Sequence, residues 1–179
     1  MDDQGLWELI EAARGQVRDP ADAEAVAERA ARLLSARPPG EIVSAGEVLW
    51  GLRAGSYRNP LWAAAYLVNG GCSDDGFEYF RGWLIMQGRA VYERVVAGPD
   101  ALADLAVIRA KASSGWPVEC EETLYIAARA YRAATGGEFP VRVVRSERPE
   151  LDPEWDFDFD DRAEMARRLP RLAALFLNY

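Results

Sequence analysis

Hydrophobic positions recur at helical spacing along nearly the whole chain. Leu6, Leu9, Ile10 and Ala13 mark a first helix, with Asp2 or Asp3 placed to cap it. Pro20 is expected to open a second, whose apolar face carries Ala23, Val26, Ala27, Ala30, Leu33 and Leu34 and which ends before Pro38-Pro39-Gly40. A third is predicted from about Glu41 to Leu52, stopped by Gly55. Pro60 suits the first turn of a fourth, "LWAAAYLV", which closes on Asn69-Gly70-Gly71 as a left-handed cap. Ser73 begins the fifth, a sixth follows Gly88, and Pro99-Asp100 starts a short one. Ser113-Ser114-Gly115 reads as a loop, and Glu119 to Thr135 as a helix ended by Gly136-Gly137. Asp160 or Asp161 caps a last helix, which Pro170 interrupts or restarts. There is no internal repeat and no heptad run long enough for a coiled coil.

The period changes between residues 138 and 161. "PVRVVRS" (140–146) has strand character, but one strand cannot satisfy its own backbone, so it is expected at an edge or lying extended on the helices. In "ELDPEWDFDFDD" the aromatics Trp155, Phe157 and Phe159 alternate with Asp156 and Asp158, a period of two that turns aromatics inward and carboxylates outward. The segment reads as an arm laid over the protein's own helices; the alternative is an acidic-aromatic arm that docks on a basic partner. The fold class expected is all-α: a single-domain multi-helix bundle over residues 1–179. It carries a short extended acidic arm at 138–161 and a C-terminal helix at 162–179.

Composition narrows the chemistry. At 179 residues, half of them hydrophobic and 28% charged, the chain can bury a substantial core. Its net charge of −8 is local: residues 147–161 hold eight acids and one base, a charge of −7, which leaves −1 for the rest. No face carries a basic stripe with interleaved aromatics, so nucleic acid is not an expected partner. The start Met1-Asp2-Asp3-Gln4 has neither a basic region nor an apolar run, and the longest apolar run, Leu61 to Val68, is too short to span a bilayer. No membrane partner is expected, the cytoplasm is the expected compartment, and Cys72 and Cys120 are expected as reduced thiols. Histidine is absent, which removes Ser-His-Asp and Cys-His nucleophilic catalysis and the commonest zinc ligand. The bases are twenty arginines and one lysine, so amine chemistry is confined to Lys111.

Candidate chemistry concentrates in "NGGCSDDGFEYFRGWLIMQGR" (69–89). Read as structure, Ser73 is an N-cap and Asp74 and Asp75 fall in the first turn, where each gains roughly 0.3–1 kcal/mol from the helix dipole. Phe77, Phe80 and Leu84 form one apolar stripe and Tyr79, Trp83 and Met86 another, so the helix should be central. Glu78 and Arg81 are spaced to pair. Two features ask for more. Gly76 and Gly82 lie inside the helix at a cost of about 1 kcal/mol each, which calls for a close-packed neighbour or a partner at the backbone. Asp74 and Glu78 are like charges four apart, with Asp75 adjacent. The leading expectation is therefore a protein-binding or regulatory module that contacts another protein through an exposed edge: Asp74, Asp75, Glu78, Arg81 and Gly82, with Cys72 and Tyr79 beside them. The acidic arm is a further contact. The alternative is a carboxylate-based enzyme, with Asp75 or Glu78 as base, Arg81 for an anion and Cys72 or Tyr79 nearby. A divalent-cation-binding protein using the Asp74/Asp75/Glu78 cluster is the third reading. No cofactor is implied and no metal ligands are assigned, because two cysteines without histidine do not make a zinc site. Cys72 sits where a helix N-terminus can lower a thiol pKa, although a small buried thiol is the commoner fate. Cys120 is expected in the core.

"LWELIEAAR" near the start, "LWAAAYLVNGGCSDDGFEYFRGWLIMQGR" in the middle and "ECEETLYIAARAY" later resemble a bacterial domain family of unknown function, DUF4240. The resemblance covers most of residues 6–135 and implies a mainly helical cytoplasmic domain of bacterial, actinobacterial type. It carries no established activity and so no catalytic residues. The chain departs from the family pattern between Ile42 and Asn59, where "VSAGEVLWGLRAGSYRN" replaces an acidic-aromatic helix containing histidine.

Overall fold

Local capping sets most of the helix boundaries. The computed structural model describes residues 1–114, 117–140 and 151–177. Helix α1 (Asp3–Arg14) starts at Asp2, whose carboxylate accepts from the Gly5 amide at 2.9 Å. Helix α2 (Ala23–Leu34) begins later than Pro20 suggested, because Pro20 and Ala21 lie in a turn and Asp22 supplies the cap, accepting from the Ala25 amide at 3.0 Å. Helix α3 (Pro39–Gly55) outruns its expected span at both ends: Pro39 takes the first-turn position that suits it, and Gly55 is the last helical residue. Helix α4 (Asn59–Asn69) closes on Gly70 at φ 69°, the left-handed cap that the glycine pair promised.

Helix α5 (Asp74–Met86) starts at Ser73, whose hydroxyl accepts from the Gly76 amide at 3.1 Å. Helix α6 (Arg89–Ala97) is followed by a 3-10 helix at Pro99–Asp104. Helix α7 (Ala106–Ser114) occupies the positions Ser113 and Ser114, where a loop was expected; Gly115 lies outside the described residues. The expected helix from Glu119 to Thr135 is in fact three pieces: an extended run, a 3-10 helix at Glu121–Tyr125 and helix α8 (Ile126–Thr135). At the C-terminal end Asp161 caps helix α9 (Arg162–Arg168), and Pro170 restarts the chain as helix α10 (Pro170–Phe176). The architecture is all-α, with no strand among the described residues. Residues 141–146 of "PVRVVRS" lie outside them.

Helix α5 is the centre. Phe77, Phe80, Leu84, Ile85 and Met86 have no exposed surface, and the helix packs against α2, α3, α4, α6 and the 121–125 turn. An apolar arc this wide forces burial on several sides. Helix α10 lies across α4, α7 and the 99–104 turn, adding Leu172 to the same apolar cluster, to which α9 contributes Met165.

The described part of the acidic arm, residues 151–161, rests on its own protein. Trp155, Phe157 and Phe159 are half-buried while Glu154, Asp156, Asp158 and Asp160 are exposed, which is the alternation read from sequence. It is reached without a strand, through a 3-10 turn at Pro153–Trp155 and a turn at Phe159-Asp160. The Tyr66 hydroxyl donates to Asp160 at 2.7 Å, the Asn59 amide donates to the Asp152 carbonyl at 3.3 Å, and the Arg168 guanidinium lies 5.0 and 4.9 Å from the Trp155 and Phe157 ring centres.

Candidate functional site

The turn into α5 is built by the residues around Cys72. The Trp62 indole N–H donates to the Cys72 carbonyl at 3.0 Å, and its ring stacks on Phe77 with centroids 4.9 Å apart. The Tyr57 hydroxyl lies 3.3 Å from Asp74. Asp74 and Asp75 stand in solvent at the start of the helix, where their charge complements its dipole. Glu78 is partly exposed and pairs with Arg53 of α3 at 3.4 Å, not with Arg81.

Arg81 and Gly82 are not on the exposed edge where the spacing placed them. Arg81 is only 6% exposed. Its guanidinium sits 4.9 Å from the Tyr57 ring and 4.8 Å from the Phe77 ring, donating to the Arg53 carbonyl at 2.6 Å and the Phe77 carbonyl at 3.3 Å. Burial lowers its pKa, an effect that Glu78 opposes. Its donors close the end of α3, so Arg81 is not the anion-binding group of the enzymatic alternative. The sequence did hold the signal: Arg81 is four residues from Phe77 and three from Leu84, squarely on the apolar stripe, and its long stem can be buried there.

Gly82 is buried because a second segment crosses the helix. Asn69 clamps Val118, accepting from its amide at 2.8 Å and donating to its carbonyl at 3.4 Å. The next residues bond to the backbone of α5: the Cys120 amide donates to the Tyr79 carbonyl at 3.0 Å and the Thr123 hydroxyl to the Gly82 carbonyl at 3.1 Å. A Cβ on residue 82 would stand 2.5 Å from the Cys120 carbonyl oxygen. The neighbour that the helix glycine called for is therefore this chain's own backbone.

The crossing brings new groups to the surface beside the first turn of α5. Glu119, Glu121 and Tyr125 join Asp75, Glu78 and Tyr79. Four carboxylates raise the Tyr79 phenol pKa, with Glu121 the strongest and Asp75, Glu78 and Glu119 adding to it. The Tyr125 hydroxyl donates to Glu121 at 3.0 Å, which raises its pKa too, and its ring is 44% exposed with Arg129 5.7 Å from the ring centre. Sequence reasoning placed Tyr79 here but missed Tyr125, Glu119 and Glu121, since nothing in local spacing brings residue 121 to residue 79.

Cys120 is buried and Cys72 half-buried. Burial pushes the Cys72 pKa up to about 12, with Glu119 adding and Arg81 opposing, which outweighs any lowering by the helix start. Cys120 is raised to about 11, again mainly by burial, and its sulfur lies 3.3 Å from the Thr123 hydroxyl, which opposes the shift. At neutral pH both stay as thiols, so iodoacetamide at pH 7.5 should alkylate the folded protein at least about tenfold more slowly than free cysteine. Equal rates by intact mass would contradict this placement. Among the described residues no group of three or more Cys, Asp or Glu is arranged to hold a metal ion, and no helix is long and apolar enough to cross a membrane.

Fold and surface together define an all-α domain with an acidic-aromatic face at the junction of its central helix and a crossing segment. The chain belongs to the family described as "Protein of unknown function (DUF4240)", whose family model matches residues 1–133 and so includes every residue of that face. Comparison with curated proteins and with solved structures gave no match.

Proposed function

We propose that this protein is a binding module that receives a basic segment of a partner protein on the α5/121–125 face. The observation that carries the reading is the pair of tyrosines, Tyr79 and Tyr125, held from two elements amid Asp75, Glu78, Glu119 and Glu121. A cationic side chain suits this setting twice over, through the carboxylates and through the aromatic faces. Arg53 and Arg129 offset part of the acidity without reversing its sign. The carboxylate-enzyme reading has less support. Of its two proposed bases, Asp75 stands in solvent and Glu78 pairs with Arg53, while Arg81 is buried and donates to backbone carbonyls and the half-buried Cys72 thiol has its pKa raised well above neutral.

The test combines Asp75→Asn, Glu121→Gln and Tyr125→Ala, with partner capture from native-host lysate measured by quantitative mass spectrometry at low and raised salt. Wild type should retain partners that weaken as salt rises, and the triple variant should recover them about tenfold less well at unchanged Tm. Equal recovery by the variant, or a Tm lowered by several degrees, would mark the face as part of the fold and not of recognition.

A further inference from the structure

We propose that Lys111 is a nucleophilic amine that condenses with a small neutral aldehyde in the hollow between α2, α5 and α7. This site is separate from the tyrosine face, although Glu119 borders both. The hollow, of about 320 Å³, is lined by Lys111 together with Trp83, Val118, Asp22, Glu24 and Glu119. Lys111 is the only lysine in the chain and is 8% exposed. A solvating surface position would be the ordinary one for an ammonium group.

The charge balance selects the ligand class. Three carboxylates against one ammonium give the lining −2, so a phosphate or carboxylate ligand would be repelled and Lys111 is poorly placed as an anion's counter-ion. Its amine is instead made a better nucleophile, because burial lowers its pKa while Glu119 opposes the shift. Burial raises the Glu119 carboxyl in turn, with Lys111 opposing, and a carboxyl beside the amine is a group through which protons can pass. Trp83 and Val118 provide an apolar wall for the body of the aldehyde.

The step balances without a redox partner. The amine lone pair attacks the carbonyl carbon as the C=O π pair moves onto oxygen, and one proton passes from that nitrogen to the oxygen, giving the hydroxyl of a carbinolamine. Glu119 then protonates that hydroxyl, water leaves as the C=N bond forms, and the proton shed by nitrogen returns to Glu119. The products are an imine and one water.

The probe is benzaldehyde with cyanoborohydride, applied to the full chain at pH 7 and read by intact mass and peptide mapping. Lys111 should be labelled about tenfold faster than Nα-acetyl-lysine amide, reflecting a larger neutral fraction. Glu119→Gln should slow that labelling several-fold at unchanged Tm. Labelling at Lys111 no faster than the reference amide, or only at the Met1 amine, overturns the proposal; an unchanged rate in Glu119→Gln overturns the role given to Glu119. Should that variant unfold, the wild-type pH profile decides. A rate that levels off below the reference supports the proposal, and one that climbs with the reference to about pH 10 overturns it.

Discussion

Gly82→Ala is expected to lower Tm by about 4–8 °C, corresponding to a net loss of about 2 kcal/mol. Alanine in mid-helix ordinarily returns about 1 kcal/mol, so the clash must outweigh that gain. The geometry says it does. The added methyl would meet the Cys120 carbonyl oxygen at 2.5 Å and the Thr123 Cβ at 3.1 Å. The first is backbone, held in place by the Cys120 amide's bond to Tyr79 and by the Asn69 clamp on Val118 two residues earlier. It cannot swing aside as a long side chain would. Gly76→Ala is the internal control. Its Cβ would meet only side-chain atoms, Glu119 Oε1 and Ser73 Oγ, both at 3.4 Å, so stability should hold or rise by up to about 1 kcal/mol. Two equal changes six positions apart in one helix are thus expected to differ in sign. Thermal melts of the two variants check this, and a Gly82→Ala melt that matches wild type would mean the crossing segment does not lie where it is described.

Arg81→Ala should cost more, about 3 kcal/mol. It removes two donors, to Arg53 and Phe77 carbonyls, and empties the slot between Tyr57 and Phe77. The Arg53 carbonyl keeps only a share of the Ser56 hydroxyl, which lies 3.1 Å from it and 2.9 Å from the Leu52 carbonyl. Arg81→Met separates shape from charge: it refills the slot and spares the cost of burying a guanidinium, so it should recover at least half of the lost stability. Lysine should not substitute, because an ammonium cannot fork to two carbonyls while stacking on two rings. Denaturant midpoints for wild type and the two variants should fall in the order wild type, Arg81→Met, Arg81→Ala; an Arg81→Ala as stable as wild type would show that neither the filled slot nor the two donors stabilise the fold.

These two positions also show where sequence reasoning stopped. Helix starts were legible wherever one residue carries the signal: Ser73, Asp2 and Asp161 cap, and Gly70 takes its left-handed turn. Pro20 misled because the capping carboxylate of Asp22 lies two residues beyond it. Helix α7 went unseen because its Ala-rich sequence offers no cap before Ala106 and two serines at its end. Angular position on α5 was readable, but coverage was not. Glu78 and Tyr79 sit one turn below Gly82 on neighbouring lines of the helix, the first two partly wet and the third dry, because the Cys120 carbonyl and Thr123 come down directly on Gly82. A contact between residues 82 and 123 depends on the path of forty intervening residues, and no local pattern encodes that path. The same holds for Tyr125, which reaches the acidic face only through that crossing. The in-and-out alternation of Trp155, Phe157 and Phe159 was correctly read as one-sided burial, yet period two did not require a sheet.

The C-terminal helices decide where this protein can be cut. The family match stops at residue 133, but Met165 and Leu172 are fully buried in the apolar core cluster, and α10 packs on α4, α7 and the 99–104 turn, all of which lie before that point. Asp100 reaches across to accept from the Arg171 amide at 3.1 Å and the Leu172 amide at 2.9 Å, so α10 is fastened at its start to the 99–104 turn. A fragment trimmed to the matched stretch would bare an oily flank on α4 and α7 and leave that aspartate with nothing to hold. Shared ancestry and self-sufficiency have different borders here.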